Sequence, residues 1–457
     1  MINPNIFRIY DIRGIYPKNL NEKIAFQIAF AFCKIYPNAK KVVVAWDSRL
    51  SSPLLAKSVI KALMFNNRQV INIGLAPDPL FSFCLAHYKF DAGIGITASH
   101  NPKNYNGLIL NYKGMGVTKE NLNKIKKLVL KDEHRGKTST GGLTSKKKGI
   151  LKFNPEKEYI DYVLKRVKLK KSLKIVFDCG NGAMGYLPER VFKKLGCQVQ
   201  TIFGEPDGNF PNHLPDPYLE KNLKHIKKEV LKQKADVGFA FDGDGDRVAL
   251  IDSKGRAVSG DSCILLLAKQ VLKKYKGSIV SGVRVSNLFL NEIKKLGAKH
   301  YWSVSHHNAL IEKIKKTKSI FGGEITSHCF FPKEYYLVDD ALFTALKLAE
   351  IVSKYDDFSK YIDSLPKIYI SKEIFIKAPD EEKLLIIEKL KKYLKEKKIK
   401  YVGVDGARIQ YENGWALARA SNTSPYIKIR FEGKTSKDLQ DIKTRAIKIF
   451  KKVGIGI

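Results

Sequence analysis

The stretch DAGIGITASHN, residues 91–101, decides the fold because it is a short apolar strand that runs directly into a polar loop. Two later stretches repeat this plan, DVGFAFDGDGDR at 236–247 and SIFGGEITSHC at 319–329. Each of the three stretches ends a longer segment, and that segment contains, before the stretch, a β-branched strand, a helical pattern and a second strand. This repeat of about a hundred residues predicts three related α/β domains with mostly parallel sheets. Ligands bind beyond the carboxyl ends of such strands, so the three loops are the predicted site.

The charge of the chain is strongly positive, with 82 Lys+Arg against 45 Asp+Glu in 457 residues and a net charge of +37. Many lysines lie along helical patterns such as EEKLLIIEKLKKYLKEKKIKY at 381–401, which predicts solvated lysine faces. There is no zinc-finger spacing and no RNA-binding aromatic signature. We therefore expect anionic small substrates and no specific nucleic-acid partner.

Cysteine usage and hydropathy indicate the compartment. The longest apolar run, IAFQIAFAFC at 24–33, is too short to cross a bilayer, and the six cysteines contain no C-x-x-C pair. We expect a reduced, cytoplasmic protein without a membrane partner, as a monomer or weak homo-oligomer.

Domain boundaries follow from changes in pattern. The polar, Gly-rich stretch at 132–149 resembles a linker between the first and second repeats. From about residue 367 the pattern changes to a strand, a long amphipathic helix and further strands, which is typical of an α+β domain. The predicted domains are three α/β domains at 1–145, 146–252 and 253–366, and an α+β domain at 367–457.

The strongest chemical signal is FDGDGDRVALI at 241–251, which places Asp242, Asp244 and Asp246 at alternate positions. Three carboxylates so close together repel one another unless they share a hard cation. An EF-hand is excluded because Arg247 stands where that loop needs glycine and strands flank it. A solvated acidic turn is the alternative to a metal site.

Three further motifs carry candidate residues. In TASHNPKNYNG (97–107), the turn residues predict that Ser99 stands on an exposed loop, as a nucleophile or an ordinary turn serine. In GGEITSHC (322–329), an extended backbone would aim Glu324, Thr326 and His328 the same way, toward sugar hydroxyls. ARASNTSPYIKIRFEG (418–433) supplies small donors and two arginines suited to a phosphate dianion. Each motif alone also fits an ordinary strand end or turn.

The stretch DCGNGAMG at 178–185 matches the G-x-G-x-x-G pattern of dinucleotide sites. The acidic residue expected about twenty positions later is missing. A tight strand-to-helix turn is the preferred interpretation, and a nicotinamide oxidoreductase is the alternative.

Together, FRIYDIRG, TASHNPKNYNG, DGDGDR, GEITSH and RASNTSPYIKIRFEG, in this order, closely resemble the α-D-phosphohexomutase family, particularly its phosphomannomutase/phosphoglucomutase branch. The resemblance covers nearly the whole chain and implies four domains around a central cleft. It implies that the enzyme interconverts hexose 1- and 6-phosphates of mannose and glucose through a phosphoserine and a hexose 1,6-bisphosphate.

The resemblance also implies residue roles. Ser99 carries the phosphoryl group and joins Asp242, Asp244 and Asp246 around Mg²⁺. The other implied catalytic residues are Arg13, His100, Arg247 and His306, and the implied substrate-binding residues are Arg284, Glu324, Thr326, His328, Arg419, Ser421, Asn422, Thr423 and Arg430.

This sequence departs from the family pattern at two lysines, the first of which is proposed in the family to help proton transfer. Ile109 occupies one position and Arg284 the other, and Lys113 would lie roughly 13 Å further along an extended strand. The alternatives left open are a phosphoglucosamine mutase and a paralogue that binds sugar phosphates with weak or no turnover.

Overall fold

The structure, a computed structural model, describes residues 2–8, 11–132, 149–421 and 425–456. The helices are α1 Glu22–Ile35, α2 Ser52–Phe65, α3 Asp78–His87, α4 Lys119–Asp132, α5 Glu156–Leu164, α6 Leu187–Lys194, α7 Lys224–Gln233, α8 Gly260–Lys274, α9 Asn287–Lys295, α10 His307–Thr317, α11 Ala341–Val352, α12 Phe358–Ser364, α13 Asp380–Glu396 and α14 Ser436–Lys452. Short 3₁₀ turns cover Pro4–Ile6 and Glu220–Leu223.

The strands are β1 Ile12–Ile15, β2 Lys41–Trp46, β3 Gln69–Leu75, β4 Ala92–Ile96, β5 Tyr105–Tyr112, β6 Met115–Gly116, β7 Ile150–Lys152, β8 Lys174–Asp178, β9 Gln198–Ile202, β10 Val237–Phe241, β11 Val248–Asp252, β12 Ala257–Val258, β13 Ile279–Gly282, β14 His300–Ser303, β15 Phe321–Gly323, β16 Cys329–Phe330, β17 Tyr369–Ile370, β18 Ile374–Lys377, β19 Tyr401–Val402, β20 Ala407–Tyr411, β21 Gly414–Ala420 and β22 Tyr426–Gly433. No described helix is both long enough and apolar enough to cross a membrane.

The chain divides into two compact units. The first unit comprises the described residues of Met1–Val258, Thr326–Phe330 and Glu334–Lys360. The second comprises those of Ser259–Ile325, Phe331–Lys333 and Tyr361–Ile457.

The first unit contains two sheets. One has the strand order β1-β5-β4-β2-β3-β7, with β6 beside β5, and the other has the order β12-β11-β10-β8-β9. In the first sheet β2 runs parallel to both β3 and β4, and in the second β8 runs parallel to both β9 and β10. Because parallel strands end at the same edge, the loops after β2 and β4 lie side by side.

Helix α11 also belongs to the first unit. It packs against β10 and β11, and every one of its residues is buried. Asp340 caps it by accepting the backbone N–H of Phe343. The largely apolar sequence ALFTALKLAEIV suits such a fully covered helix, and its buried Lys347 forms an ion pair with Glu334.

In the second unit, β13 runs parallel to both β14 and β15, with β13 in the middle. Its other sheet is antiparallel, with the order β17-β22-β21-β20-β19 and β18 also paired with β22. Helices α13 and α14 cover this sheet. A capping box of Thr435 and Asp438 begins α14.

The internal repeat is confirmed by strand order. In each of the three parallel sets the first strand of the segment lies between the second and third strands: β4-β2-β3, β10-β8-β9 and β15-β13-β14. The predicted fold class, three related α/β domains and an α+β domain, is likewise confirmed. The domain boundaries stay predictions: the one at 145/146 lies outside the described residues, while β12 and α11, from the third predicted domain, pack with strands of the second sheet.

Candidate active site

The serine loop follows β4 and is held in an unusual conformation. Ser99 has a φ of 49°, in the left-handed region, and its N–H donates to Thr97 Oγ1 at 2.8 Å. The expectation of an exposed serine is wrong, because Ser99 is only 2% exposed. The reason is that the aspartate loop after β10 lies against it, and Ser99 Oγ donates to Asp242 Oδ2 at 2.8 Å.

Arg247, the residue after the last aspartate, completes this contact. Its Nη2 donates to Ser99 Oγ at 2.6 Å and its Nε to Asp242 Oδ2 at 2.9 Å. The same Nη2 contacts Nδ1 of His100, which lies 3.1 Å from Ser99 Oγ. The structure therefore brings together four predicted residues, Ser99, His100, Asp242 and Arg247.

Arg13, on β1, also reaches the serine loop. Its Nη1 donates to Asn101 Oδ1 at 2.6 Å and to the Ala98 carbonyl at 3.3 Å, while its Nε donates to Asp11. Arg13 thus contacts the Ala98 carbonyl on one side of Ser99 and the Asn101 side chain on the other.

The three aspartates converge as predicted. One carboxylate oxygen from each of Asp242, Asp244 and Asp246 lies within 4.8 Å of the others. Asp244 Oδ2 accepts the Thr97 hydroxyl at 3.0 Å, whereas its buried Oδ1 has no hydrogen-bond partner among the described residues. A buried carboxylate oxygen without a donor is costly unless a cation neutralises it.

His328 lies beside the same loop. Its Nδ1 is 3.0 Å from Asp339 Oδ2 and 3.9 Å from Asp246 Oδ2. The expected extended backbone over 324–328 is wrong, because Ile325 and Thr326 form a turn and Ser327 has a φ of 64°. The alternate positions of Glu324, Thr326 and His328 in the sequence therefore do not make their side chains point the same way.

The glycine motif forms the predicted tight turn, and its glycines serve the aspartate loop. The N–H of Ala183 donates to the Gly243 carbonyl at 2.9 Å. A Cβ on Gly182 would lie 2.8 Å from that carbonyl oxygen, and a Cβ on Gly243 would lie 2.6 Å from the carbonyl oxygen of Ser99. Gly182 and Gly243 are therefore glycines because a neighbouring backbone carbonyl occupies the space that a side chain would need.

In the second unit, predicted substrate residues form ion pairs. Arg284 Nη2 lies 3.3 Å from Glu324 Oε2, and Arg419 Nη1 lies 3.2 Å from Asp405 Oδ2. Arg430 Nη2 is 3.9 Å from Asp261 Oδ2.

His306 and Ser421 are held at the ends of elements. His306 caps α10, with Nδ1 accepting the N–H of Asn308 at 3.2 Å. The Ser421 carbonyl accepts Lys383 Nζ at 2.6 Å. Asn422 and Thr423, also predicted here, lie outside the described residues.

Four sequence models of one family match consecutive parts of the chain. Their descriptions are phosphoglucomutase/phosphomannomutase α/β/α domain I at residues 4–136, domain II at 157–255, domain III at 259–369 and the C-terminal domain at 373–449. The chain belongs to this family. The resemblance predicted from the five motifs is therefore confirmed.

Individual relatives agree with this assignment. A phosphomannomutase/phosphoglucomutase of Pseudomonas syringae is 34% identical over 441 residues, covering 96% of this chain and 93% of the relative. A protein of Pyrococcus abyssi described as a probable phosphoglucosamine mutase is 31% identical over 445 residues, covering 96% of both. The crystal structure of a phosphoglucomutase/phosphomannomutase family protein from Burkholderia thailandensis has a TM-score of 0.90 and 31% identity, covering 100% of this chain and 99% of that one.

The electrostatics of this phosphohexomutase family member show why its aspartate loop suits a cation. Burial raises the pKa values of Asp244 and Asp246 well above the ordinary value, and the neighbouring carboxylates add to this effect. Asp242 is different: burial opposes its ionisation, but Arg247 and hydrogen bonds from Asp246 and Ser99 hold its pKa low. The loop holds more buried acid than Arg247 neutralises, so the cluster could bind a metal ion.

The family departure at Ile109 is not repaired by Lys113. Ile109 lies on β5, opposite Gly95 of β4. The N–H of Lys113 donates to the carbonyl of Asp91, which precedes β4, whereas Ser99 follows β4. Lys113 therefore lies at the opposite end of β4 from Ser99.

Sequence reasoning missed Arg49, which follows β2. Its guanidinium is fully buried and donates to the carbonyls of Ser99, Asn101, Pro102 and Tyr105 at 2.7 to 3.0 Å. It thereby fixes the backbone of the serine loop. The available signal in the sequence was that Arg49 follows β2, a strand that runs parallel to β4 and ends at the same edge of the sheet.

Two further residues that sequence reasoning missed are Glu373 and Lys428. Glu373 Oε2 lies 3.5 Å from Lys428 Nζ, and its Oε1 lies 3.9 Å from Arg284 Nη1. Burial works to raise the pKa of Glu373, but the surrounding cations, Arg284 first, hold that pKa below its usual value.

Proposed function

We propose that this family member is a phosphohexomutase that interconverts the 1- and 6-phosphates of mannose and glucose through a phosphoserine at Ser99 and a hexose 1,6-bisphosphate. The observation that carries the proposal is the placement of Ser99 Oγ, 2.8 Å from Asp242 and 2.6 Å from Arg247. A buried hydroxyl between a carboxylate and a guanidinium is suited to exchanging a phosphoryl group rather than to closing a turn.

Mg²⁺ is the ion that we assign to the aspartate loop, held by Asp242, Asp244, Asp246 and the phosphorylated Ser99. The orphaned Oδ1 of Asp244 supports this assignment. When bound, the ion would supply positive charge to the phosphoryl oxygens.

The reaction requires two bond changes at phosphorus. The bond from phosphorus to Ser99 Oγ breaks and a bond to the free sugar hydroxyl forms, while the hydroxyl loses its proton and Ser99 Oγ gains one. Arg247 stabilises the charge that develops on Oγ, and Arg13 and His100 keep the serine loop in register. The bisphosphate then turns around and returns its other phosphoryl group to Ser99.

We assign the proton transfer to His328. Its Nδ1 is hydrogen-bonded to the Asp339 carboxylate, which fixes the tautomer with the basic lone pair on Nε2. An imidazole can both accept and return a proton, whereas the guanidinium of Arg284 stays charged. This assignment would compensate for the missing lysine at Ile109.

The other predicted residues receive the remaining substrate contacts. We assign sugar hydroxyls to Glu324 and Thr326, with Arg284 and His306 beside the sugar. The phosphate that is not reacting would bind the residues of the ARASNTSPYIKIRFEG motif, Arg419, Ser421, Asn422, Thr423 and Arg430.

The test is an assay of the full chain with Mg²⁺, mannose 1-phosphate or glucose 1-phosphate, and a trace of the matching bisphosphate. We expect the 6-phosphate to form, and Ser99→Ala to lose at least about a thousandfold in turnover because the carrier is gone. Mass spectrometry should find one phosphoryl group on the wild-type peptide that contains Ser99.

The control is Ser172→Ala, because Ser172 is exposed and its hydroxyl donates to the Gly196 carbonyl, away from the serine and aspartate loops. It should retain full turnover. Exclusive use of glucosamine phosphates would favour the glucosamine branch. Binding without turnover of any hexose phosphate would instead show a non-catalytic paralogue, and tight NAD(H) binding would revive the oxidoreductase.

A further inference from the structure

Two cations face each other across a strand pair in the second unit. Lys428 on β22 lies directly opposite Arg419 on β21, and Arg430 lies two residues further on the same face of β22. Like charges directly opposite each other destabilise a sheet. Their placement opposite each other therefore points to an anion that both cations contact.

The resident anion beside Lys428 is Glu373, which precedes β18. Its side chain is 7% exposed, and its Oε2 lies 3.5 Å from Lys428 Nζ, longer than an ordinary charge-assisted hydrogen bond. Arg284, Arg419 and Arg430 each have another carboxylate within 4 Å, in Glu324, Asp405 and Asp261 respectively. Among the described residues, Glu373 is the single carboxylate ion-paired with Lys428.

Two arginine donors of this cluster lack partners. Arg419 Nε and Arg430 Nη1 are buried and make no hydrogen bond within the described part of the chain. Arg419 as a whole is 95% buried. Unpaired buried donors are costly, and a ligand with several anionic oxygens would satisfy them together.

We propose that Lys428 is a further ligand of the non-reacting phosphate and that Glu373 competes with that phosphate for Lys428. The ammonium group leaves Glu373 and pairs with the phosphate dianion, so Glu373 sets how tightly the cluster holds its ligand. This inference rests on the proposed function for its substrate, a hexose phosphate, but its chemistry requires only a phosphate dianion.

The experiment is calorimetric titration of the full chain with inorganic phosphate, in EDTA so that the aspartate loop cannot bind phosphate through a metal ion. Lys428→Met should raise the phosphate Kd roughly tenfold, the size expected for one charged hydrogen bond. Lys428→Arg should restore most of the affinity. Glu373→Gln should lower the Kd severalfold. When Glu373→Gln is combined with Lys428→Met, the Kd should equal that of Lys428→Met alone.

The matched control is Lys377→Met, because Lys377 is an exposed lysine on β18 of the same sheet. It should bind phosphate as the wild type does. An unchanged Kd in Lys428→Met, a raised Kd in Glu373→Gln, or no phosphate binding by the wild type at millimolar concentration would each overturn the inference.

Turnover separates this inference from the proposed function. If no hexose phosphate is turned over but Lys428→Met still weakens phosphate binding, the proposed function falls and the inference stands. If the mutase is active and Lys428→Met changes neither KM nor the phosphate Kd, the inference falls alone.

Discussion

The aspartate loop of the first unit and the arginine cluster of the second unit are both charged, but they differ in how the charge is balanced. In the loop, Asp242, Asp244 and Asp246 share mainly one cation, Arg247. In the cluster each arginine has its own carboxylate. The loop could therefore take up a cation from solution, whereas a ligand of the cluster would have to compete with the carboxylates already there.

The pKa shifts of two buried acids express the same difference. Burial raises the pKa of Asp244, and the adjacent carboxylates raise it further. Burial also acts to raise the pKa of Glu373, but Arg284, Lys428 and Arg419 more than reverse it. Neighbouring charge, and not burial alone, decides whether a buried acid is ionised.

The largest effect should follow from removing one charge from the loop. Asp244→Asn keeps an acceptor for the Thr97 hydroxyl but removes a proposed metal ligand, so we expect turnover to fall at least about a hundredfold. Mg²⁺ should raise the melting temperature of the wild type and not that of the variant. In EDTA the variant should melt higher than the wild type, because a repulsive charge is gone.

The matched control is Asp178→Asn, which changes the buried carboxylate at the end of β8. Asp178 pairs with His213 and takes no part in the loop. This variant should keep the Mg²⁺-dependent rise in melting temperature. If Asp244→Asn keeps that rise as well, the loop does not hold the ion.

A smaller effect should come from the residue that anchors the serine loop. Arg49→Met removes the donor of four carbonyls and leaves buried Asp47 without its 3.0 Å ion pair. We expect a loss of about 3 to 5 kcal/mol in the free energy of unfolding, measured by urea denaturation. Turnover of the folded fraction should also fall, because the Ser99 backbone is no longer fixed.

Arg68→Met is the comparison for that experiment. Arg68 is also buried and donates to carbonyls, of Cys33 and Pro37, but it lies away from the serine loop. It should lose stability while keeping its turnover at a temperature where it is folded. Equal turnover in the two variants would contradict the anchoring role of Arg49.

The sequence predicted the repeat and the aspartate loop because both depend on residues close together in the chain. Asp242, Asp244 and Asp246 occupy alternate positions of one turn, so their convergence is local. The left-handed φ of Ser327 is also local, but a serine does not signal it, and the extended interpretation of GGEITSHC failed there.

Partners brought together by tertiary packing could not be found in this way. Glu373 and Lys428 meet because β18 pairs with β22, and Lys428 opposes Arg419 because β22 pairs with β21. Strand order and register fix these contacts, and no motif announces them. Arg49 lies between these two cases. The predicted parallel repeat places the loops after β2 and β4 at the same edge of the sheet, but no motif marks the arginine itself.

The smallest predicted effect concerns Glu432, a buried acid of the second unit. Burial raises its pKa, as burial raises the pKa of Asp244 in the aspartate loop. Burial raises the pKa of Glu432 to about 7, and its carboxylate accepts the N–H of Asn287 at 2.8 Å. The folded chain therefore binds the proton on Glu432 more tightly than the unfolded chain does. The contribution of this proton to the free energy of unfolding falls as pH rises from about 4.5 to about 7. Glu432→Gln keeps an acceptor and removes the titration. The free energy of unfolding of the wild type relative to this variant should fall by at most about 3 kcal/mol between pH 4.5 and pH 8, measured by urea denaturation. A difference that does not change with pH, or one that rises, would show that neighbouring cations ionise Glu432 as they ionise Glu373.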